Sequence, residues 1–178
     1  MLFKILIVSD EVDDFQREIT IDADATFLDL NQALLKACGY KDDQVTSFYI
    51  CDENWEQREQ IMREDLTDAA DQDVYLMSES HLRDFLNDVG DRLVFEFDPL
   101  GGRMLFIKVK DIITGKNLKT PKVTLSHGKA PAQTKDNGLS LNSIKSDEDL
   151  LDSDDSFYGS EGFNDDEFDP DSFEISDQ

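Results

Sequence analysis

The chain has 178 residues with 17 basic and 41 acidic side chains, so its formal net charge is −24. A chain of this charge repels polyanions, which disfavours duplex DNA as the main ligand and, for the same reason, an anionic membrane surface. No apolar run approaches the ~20 residues of a membrane-spanning helix. Two cysteines, Cys38 and Cys51, form no disulfide framework. We therefore expect a cytoplasmic protein with reduced thiols.

The charge falls into three blocks along the chain. Residues 1–107 hold 9 bases and 25 acids (9 − 25 = −16), residues 108–145 hold 8 lysines and 2 aspartates (8 − 2 = +6), and residues 146–178 hold 14 acids and no base (−14). After residue 110 the apolar residues no longer recur with a clear period. Together with the charge blocks, this predicts a single domain over residues 1–128, a basic linker over residues 129–145 and an acidic tail over residues 146–178.

The N-terminal part predicts a pair of strands. Residues 2–8 are apolar and β-prone, and residues 15–22 alternate between apolar and polar side chains. An acidic turn lies between them, so the two strands are expected to form a hairpin. The alternation places Arg17 on the same face as Ile19 and Ile21.

A helix is predicted next. Thr26 and Asp29 have the spacing of a capping box, apolar residues then recur with helical period from Phe27, and Gly39 suits the left-handed position that ends a helix. Residues 45–51 are rich in β-formers and predict a third strand.

The middle of the chain is less regular. Residues 54–68 carry mixed charge without a period and predict an irregular segment or a short helix, and residues 74–77 predict a short strand. Residues 80–90 predict a second helix that is capped by Ser80 and ended by Gly90.

Two strong strands follow. Residues 92–98 and 103–109 flank a Pro-Leu-Gly-Gly turn and predict an antiparallel hairpin, and residues 119–126 predict an edge strand with Pro121 at its start. The order ββαβ(β)αββ predicts an α+β fold, in which about two helices lie on one face of a mostly antiparallel or mixed sheet.

Six short blocks occur in a characteristic order: FQREI at 15–19, ATFLDL at 25–30, ACGY at 37–40, SFYI at 47–50, LRDF at 82–85 with GD at 90–91, and FEFD at 95–98. In this order they resemble the Ri-plasmid third-open-reading-frame-like family, whose bacterial members include insertion-element passenger proteins. The resemblance covers roughly residues 2–130. It implies a shared fold and a mobile-element association, but no catalytic residue.

The cysteines and histidines, which nucleophilic catalysis or zinc binding would need, are not arranged in a recognisable site. Cys38 and Cys51 are interpreted as small core residues, while His81 is predicted beside a helix cap and His127 at the border of the basic linker. No zinc spacing, EF-hand loop or phosphate-binding loop is present. We predict no catalytic residue, no metal site and no cofactor.

The acidic tail carries aromatic residues at intervals of five or six positions. Acids alternating with aromatics suit docking on a basic, grooved partner, because charge steers the encounter and rings anchor in pockets. Two alternatives remain open: the tail packs on the chain's own basic segment, or it serves only as a solubility brush. The candidate docking residues are Phe157, Tyr158, Phe163, Phe168 and Phe173, and the candidate basic contacts are Lys108, Lys110, Lys116, Lys119, Lys122, Lys129 and Lys135.

The leading hypothesis is a non-enzymatic interaction module whose tail docks on a basic protein or on the chain's own basic segment. A second hypothesis is an enzyme or small-molecule binder that uses carboxylates in a cleft between helices and sheet. A third is a mobile-element-associated accessory protein that contacts nucleic acid through residues 108–145. The sequence does not determine the oligomeric state.

Overall fold

The computed structural model describes residues 1–64 and 74–134. The predicted tail and most of the predicted linker lie outside the described residues. Within the described part, the chain forms an α+β fold with eight strands and two helices, which confirms the predicted class. The strands are β1 (Leu2–Ser9), β2 (Gln16–Asp22), β3 (Ser47–Cys51), β4 (Gln57–Met62), β5 (Tyr75–Leu76), β6 (Arg92–Asp98), β7 (Arg103–Ile113) and β8 (Lys122–His127), and the helices are α1 (Phe27–Cys38) and α2 (Leu82–Phe85).

All eight strands belong to one sheet in the order β5-β4-β3-β6-β7-β1-β2-β8. Neighbouring strands are antiparallel, except that β4 and β5 are parallel. The predicted edge strand is confirmed, since β8 pairs with β2 and ends the sheet. Residues directly opposite each other in adjacent strands share a face of the sheet, so the register determines which side chains meet.

The first helix begins and ends where the sequence predicts. The Thr26 hydroxyl accepts a hydrogen bond from the backbone N–H of Asp29 (3.2 Å), and the Asp29 carboxylate accepts one from the backbone N–H of Thr26 (2.9 Å). Gly39 ends the helix in the left-handed conformation, with φ at 72°. The cap stabilises the helix by about 1 kcal/mol, and it fixes where Leu30 and Leu34 meet the sheet.

The second helix is shorter than the sequence predicts. The expected span was residues 80–90, whereas the helix covers only Leu82–Phe85. The chain leaves the helix because the Asp91 carboxylate accepts hydrogen bonds from the backbone N–H groups of Asn87 (2.7 Å) and Asp88 (2.9 Å). A side chain that binds nearby backbone in this way competes with helical hydrogen bonding.

The prediction of an irregular segment or short helix over residues 54–68 is wrong for Gln57–Met62, which form a strand. Residues 57–60 are polar and exposed, so they show no apolar alternation, and the following Ile61 is fully buried. Ile61 lies opposite Phe48 of β3. The pairing partner therefore determines this strand more than its own sequence does.

The core lies between the two helices and one face of the sheet. Phe27 of α1 makes edge contacts with Phe48 of β3 and Phe85 of α2, with ring centroids 5.4 and 5.5 Å apart. Alternate residues of the strands complete this core, and no helix among the described residues covers the opposite face. The inward-pointing strand residues include Phe3, Ile5, Ile7, Ile19, Ile21, Leu93, Phe95, Phe97, Leu105 and Ile107.

Candidate interaction surface

The face of the sheet without a helix, which we call the uncovered face, carries side chains in rows set by the register. Arg92 of β6 lies opposite Lys108 of β7, Lys108 lies opposite Leu6 of β1, and Leu6 lies opposite Glu18 of β2. Because adjacent strands are about 4.8 Å apart, this row crosses four strands within about 15 Å. The neighbouring row consists of Tyr49, Val94, Phe106, Val8 and Gln16.

The loop between β3 and β4 places Trp55 on this face. The Asp52 carboxylate accepts hydrogen bonds from the backbone N–H groups of Asn54 (2.8 Å) and Glu56 (3.0 Å), and Trp55 between them has a left-handed φ of 66°. The indole ring packs edge-on against Phe106, with centroids 5.2 Å apart. The Arg92 guanidinium lies 5.3 Å from the same indole ring. Half-buried aromatic surface is therefore held in place beside a cation.

Four lysines lie on the same face of the sheet as Glu18, and one of them contacts its carboxylate. Lys110 Nζ donates to Glu18 Oε2 at 2.7 Å. Lys4 and Lys122 both lie opposite Thr20, two residues along β2 from Glu18. The fourth lysine belongs to the row described above. We call these four residues the lysine patch: Lys4, Lys108, Lys110 and Lys122.

Glu18 stays ionised at the centre of the lysine patch. Its carboxylate accepts hydrogen bonds from Lys110 Nζ and, at 2.8 Å, from the Thr124 hydroxyl. These hydrogen bonds, with the charges of Lys110 and Lys4, hold the pKa of Glu18 below its usual value against the opposing effect of burial. Asp111 of β7 lies opposite Lys4, so two carboxylates stand among four ammonium groups. The excess of ammonium groups leaves a positive region on a chain whose total charge is −24.

Three of the predicted lysines, Lys108, Lys110 and Lys122, thus lie together, and their role in binding remains a prediction. Lys116 and Lys119 lie in the connection between β7 and β8, and Lys129 follows β8. The other predicted docking residues fall outside the described residues: Lys135, Phe157, Tyr158, Phe163, Phe168 and Phe173.

A shallow hollow of about 240 Å³ opens beside the lysine patch. Its lining is mostly apolar, because Leu6 and Val89 contribute side chains and the two lysines contribute their methylene stems. Val89 is 60% exposed, so its isopropyl group faces solvent. We call this feature the lysine hollow; it is lined by Leu6, Val89, Lys108, Val109 and Lys110.

Residues 127–133, which begin at the last residue of β8, are tied to the domain by two buried arginines. We call this arrangement the C-terminal clasp. Arg17 Nε donates to the carbonyl of Ala37 at 2.9 Å, and its terminal nitrogens donate to the carbonyls of His127 (2.6 Å) and Gly128 (3.1 Å). The end of a helix carries partial negative charge on its last carbonyls. Arg17 therefore caps α1 and holds the clasp segment with one guanidinium group.

Arg103 holds the other end of the clasp. Its guanidinium donates to both carboxylate oxygens of Glu11, at 2.7 and 2.8 Å, and to the carbonyl of Gln133 at 3.3 Å. It also lies 4.9 Å from the centroid of the Phe97 ring. The Gln133 side chain exchanges hydrogen bonds with the backbone of Lys41, at 2.8 and 2.7 Å. The two-point pairing of Arg103 with Glu11 is stronger and more directional than a single ionic contact.

The thiol and phenol near the clasp are unsuited to act as nucleophiles. Burial raises the pKa of the Cys38 thiol to about 12, although the charge of Arg17 opposes this shift. Burial also raises the pKa of Tyr40, whose hydroxyl donates to the carbonyl of Pro131 at 2.8 Å. Both groups are protonated at neutral pH, and a protonated thiol is a poor nucleophile. The clasp is a structural element.

The clasp is not predictable from the sequence alone. Its one visible signal is Arg17, a cation at an inward position of the alternating strand. The partners of both arginines include backbone carbonyls, which composition does not reveal, so the sequence predicts residues 129–133 as linker. The predicted boundary at residue 128 remains a prediction.

A hollow of about 350 Å³ near the start of α1 contains three carboxylates. Asp22 accepts a hydrogen bond from the backbone N–H of Leu118 (2.8 Å), Asp24 pairs with Arg83 (2.5 Å), and Asp29 closes the capping box. These carboxylates serve structural hydrogen bonds. The hollow therefore gives little support to acid–base chemistry at this place.

Metal ligands are not clustered in the described part of the chain. Within residues 1–64 and 74–134, no three His, Cys, Asp or Glu side chains form a group that could hold a metal ion. His81 instead contacts the carbonyl of Asp24 through Nδ1, at 2.7 Å. Over the same residues, none of the helices combines the length and apolarity needed to cross a membrane.

Comparison with known proteins identifies the fold and a family. The family described as plasmid pRiA4b ORF-3-like protein matches residues 3–177. A crystal structure of a protein of unknown function from Methanosarcina mazei Go1 is similar, with a TM-score of 0.52 and 14% identity, over 70% of this chain and 68% of that chain. At this identity the likeness shows the fold alone. The search of curated proteins gave no match.

Proposed function

Because the chain belongs to the family of plasmid pRiA4b ORF-3-like proteins, whose description names no reaction, we propose a function from its surface: a non-enzymatic interaction module of the cytoplasm. The family assignment confirms the resemblance identified in the sequence. The observation that carries the proposal is the uncovered face, where half-buried Trp55 and Phe106 lie beside the lysine patch. Aromatic residues and arginine are enriched at protein-binding surfaces, and the Arg92 guanidinium lies 5.3 Å from the Trp55 ring.

The state of the thiols and of the buried arginines also supports a non-enzymatic function. Burial raises the pKa values of the Cys38 and Cys51 thiols, Cys38 to about 12. Arg17 and Arg103 are engaged by internal acceptors in the clasp. An enzyme or small-molecule binder with carboxylates in a cleft is the less favoured alternative. The carboxylates of the hollow near the start of α1, Asp22, Asp24 and Asp29, are engaged in structural hydrogen bonds.

In this proposal, residues 146–178 dock on a basic partner protein. The segment has 14 acids and no base, so attraction to a basic surface accelerates the encounter and weakens with salt. Its aromatic residues supply the apolar anchors that charge alone does not provide.

The test compares the full chain with a full-chain variant in which the five tail aromatics, Phe157, Tyr158, Phe163, Phe168 and Phe173, are replaced by serine. This variant keeps every charge, so it separates anchoring from electrostatic attraction. Proteins captured from native lysate by the full chain should be lost with the variant, and a synthetic peptide of residues 152–175 should displace them. Capture that is unchanged in the variant would refute tail docking.

One observation favours a second candidate, an accessory protein that contacts nucleic acid through residues 108–145. Lys108, Lys110 and Lys122 from this block lie on one face with Lys4. If this candidate is correct, removal of residues 146–178 should raise the affinity for single-stranded and duplex nucleic acid, and Lys108→Glu should lower it again. An affinity that truncation leaves unchanged rejects the candidate.

A further inference from the structure

We propose that the lysine patch and the lysine hollow together form a docking seat for an acidic peptide segment of another protein, one that carries an aromatic side chain between its acids. This inference deepens the proposed function and rests on it, because it names a ligand class for the uncovered face. The two remain separable, since tail docking concerns residues 146–178 and this seat concerns the domain.

The first step is charge. The block of residues 1–107 has a net charge of −16. The strand register brings its Lys4 onto one face with Lys108, Lys110 and Lys122 of the basic block. Glu18 pairs with Lys110 and Asp111 lies opposite Lys4, which leaves Lys108 and Lys122 to bind carboxylates of a ligand. A positive region on an acidic domain attracts an acidic ligand and determines where on the domain that ligand binds.

The second step is shape. The lysine hollow has a volume of about 240 Å³ and a mostly apolar lining that includes Leu6 and Val89. An apolar cavity of about 150 Å³ is enough to bind benzene, so the hollow can accept one phenyl ring. Lys108 and Lys110 border the hollow, so a ring placed there would lie beside two lysine side chains.

The third step distinguishes a peptide from a nucleic acid. A nucleic-acid site places cations along a repeated phosphate backbone, whereas this patch holds the ionised Glu18 at its centre, and Glu96 lies on the same face. Each of these carboxylates repels a phosphate chain. A peptide can instead place a ring in the hollow and space its acids to avoid Glu18, because extended residues advance about 3.3 Å each.

The probe is a fluorescein-labelled peptide of residues 152–175 of this chain, which has the required chemistry with five aromatic residues among acids. Its binding is measured by fluorescence anisotropy to the full-chain variant with the five tail aromatics replaced by serine, so that the chain's own rings do not enter the measurement. We expect saturable binding that weakens at least tenfold between low and high salt.

Matched substitutions locate the seat. Lys108→Glu should weaken binding at least tenfold, while Lys116→Glu makes the same charge change outside the patch and should change it less than threefold. Val89→Asp should also weaken binding at least tenfold. Val89 is 60% exposed and can be replaced without disturbing the core, and unchanged thermal unfolding of each variant shows that the fold is intact.

Four outcomes would overturn the proposal. Equal losses from Lys108→Glu and Lys116→Glu would show general charge attraction without a seat. Equal binding of a peptide whose aromatics are all serine would show that the hollow is not used. Stronger displacement of the probe by polyuridylate than by unlabelled peptide would assign the patch to nucleic acid. Binding to the serine variant but not to the wild-type chain would assign the seat to the chain's own segment and not to another protein.

Discussion

Gly128 lies so close to Asp14 that a Cβ atom on Gly128 would be 2.2 Å from the Asp14 carbonyl oxygen and 2.7 Å from its carbonyl carbon. Gly128 also has a left-handed φ of 65°, which side-chain-bearing residues rarely adopt. The chain cannot move away at low cost, because Arg17 binds the carbonyl of Gly128. Glycine at this position is therefore required for the C-terminal clasp.

Gly128→Ala is expected to lower the free energy of unfolding by about 3 kcal/mol, since the methyl group would have to displace backbone. Gly115→Ala is the matched control. Gly115 has a similar φ of 72°, but a Cβ there would meet nothing within 4 Å, so only the conformational cost of about 1 kcal/mol remains. Urea unfolding of both variants measures the difference. Equal losses would contradict the close approach to Asp14.

The pair between Arg103 and Glu11 carries the second prediction. The Arg103 side chain is 4% exposed and that of Glu11 is 27% exposed. Arg103→Met removes the two hydrogen bonds to Glu11 and the ion pair with Asp98 at 3.5 Å, and we expect a loss of about 3 kcal/mol in unfolding free energy. The double variant Arg103→Met with Glu11→Leu should recover part of this loss. Strictly additive losses in the double-mutant cycle would show that the pair does not couple.

The features predicted correctly are those that depend on nearby residues. The first helix is specified by Thr26, Asp29 and Gly39, all within or beside it, and the hairpin of β6 and β7 is specified by the turn between its strands. β4 was missed because its apolar residue Ile61 is recognised only through its partner Phe48. The end of α2 was misplaced because a hydrogen-bond acceptor, Asp91, lies beyond the predicted helix.

For the candidate surface, too, the sequence predicts only the features that depend on nearby residues. The sequence identifies Lys108, Lys110 and Lys122 because they belong to one basic block. It also groups Lys116 with them, although Lys116 lies in the connection between β7 and β8 and not in a strand. It missed Lys4, about a hundred positions away, which pairing between β1 and β2 brings beside Glu18. Charge along a chain predicts composition of a surface, whereas strand register decides which charges become neighbours.

The third prediction concerns the thiols. Burial raises the pKa of Cys38 to about 12 and also raises that of Cys51. At pH 8, about one Cys38 side chain in ten thousand is then a thiolate, which is the reactive form. The native protein should react with a chromogenic disulfide reagent far more slowly than protein in guanidinium chloride. A Cys51→Ser variant isolates Cys38, and rapid labelling of this native variant would contradict its burial.

The fourth prediction concerns pH. The folded-state pKa of Glu18 is lowered by its hydrogen bonds and charges, so its contribution to stability is present above the unfolded-state value of about 4.3 and is lost as the pH falls through the folded value. Because Lys110 is 55% exposed, we expect about 1 kcal/mol or less. The stability difference between wild type and Glu18→Gln should be constant near neutral pH and should shrink below about pH 4. A difference that persists at pH 3 would show that the charge of Glu18 does not produce it.

The last prediction concerns a polar pair in the core. Asn31 of α1 is fully buried and accepts a hydrogen bond from the Thr46 hydroxyl at 3.0 Å, while its amide nitrogen has no hydrogen-bond partner in the described structure. Thr46→Val removes the one hydrogen bond shown for the Asn31 side chain and should cost about 1–2 kcal/mol, because a buried polar group is then left unpaired. Adding Asn31→Leu removes that polar group, so the double variant should be more stable than Thr46→Val alone and at least as stable as wild type. Urea midpoints of the four proteins test this, and a double variant less stable than either single variant would mean that the pair stabilises the interface between α1 and the sheet.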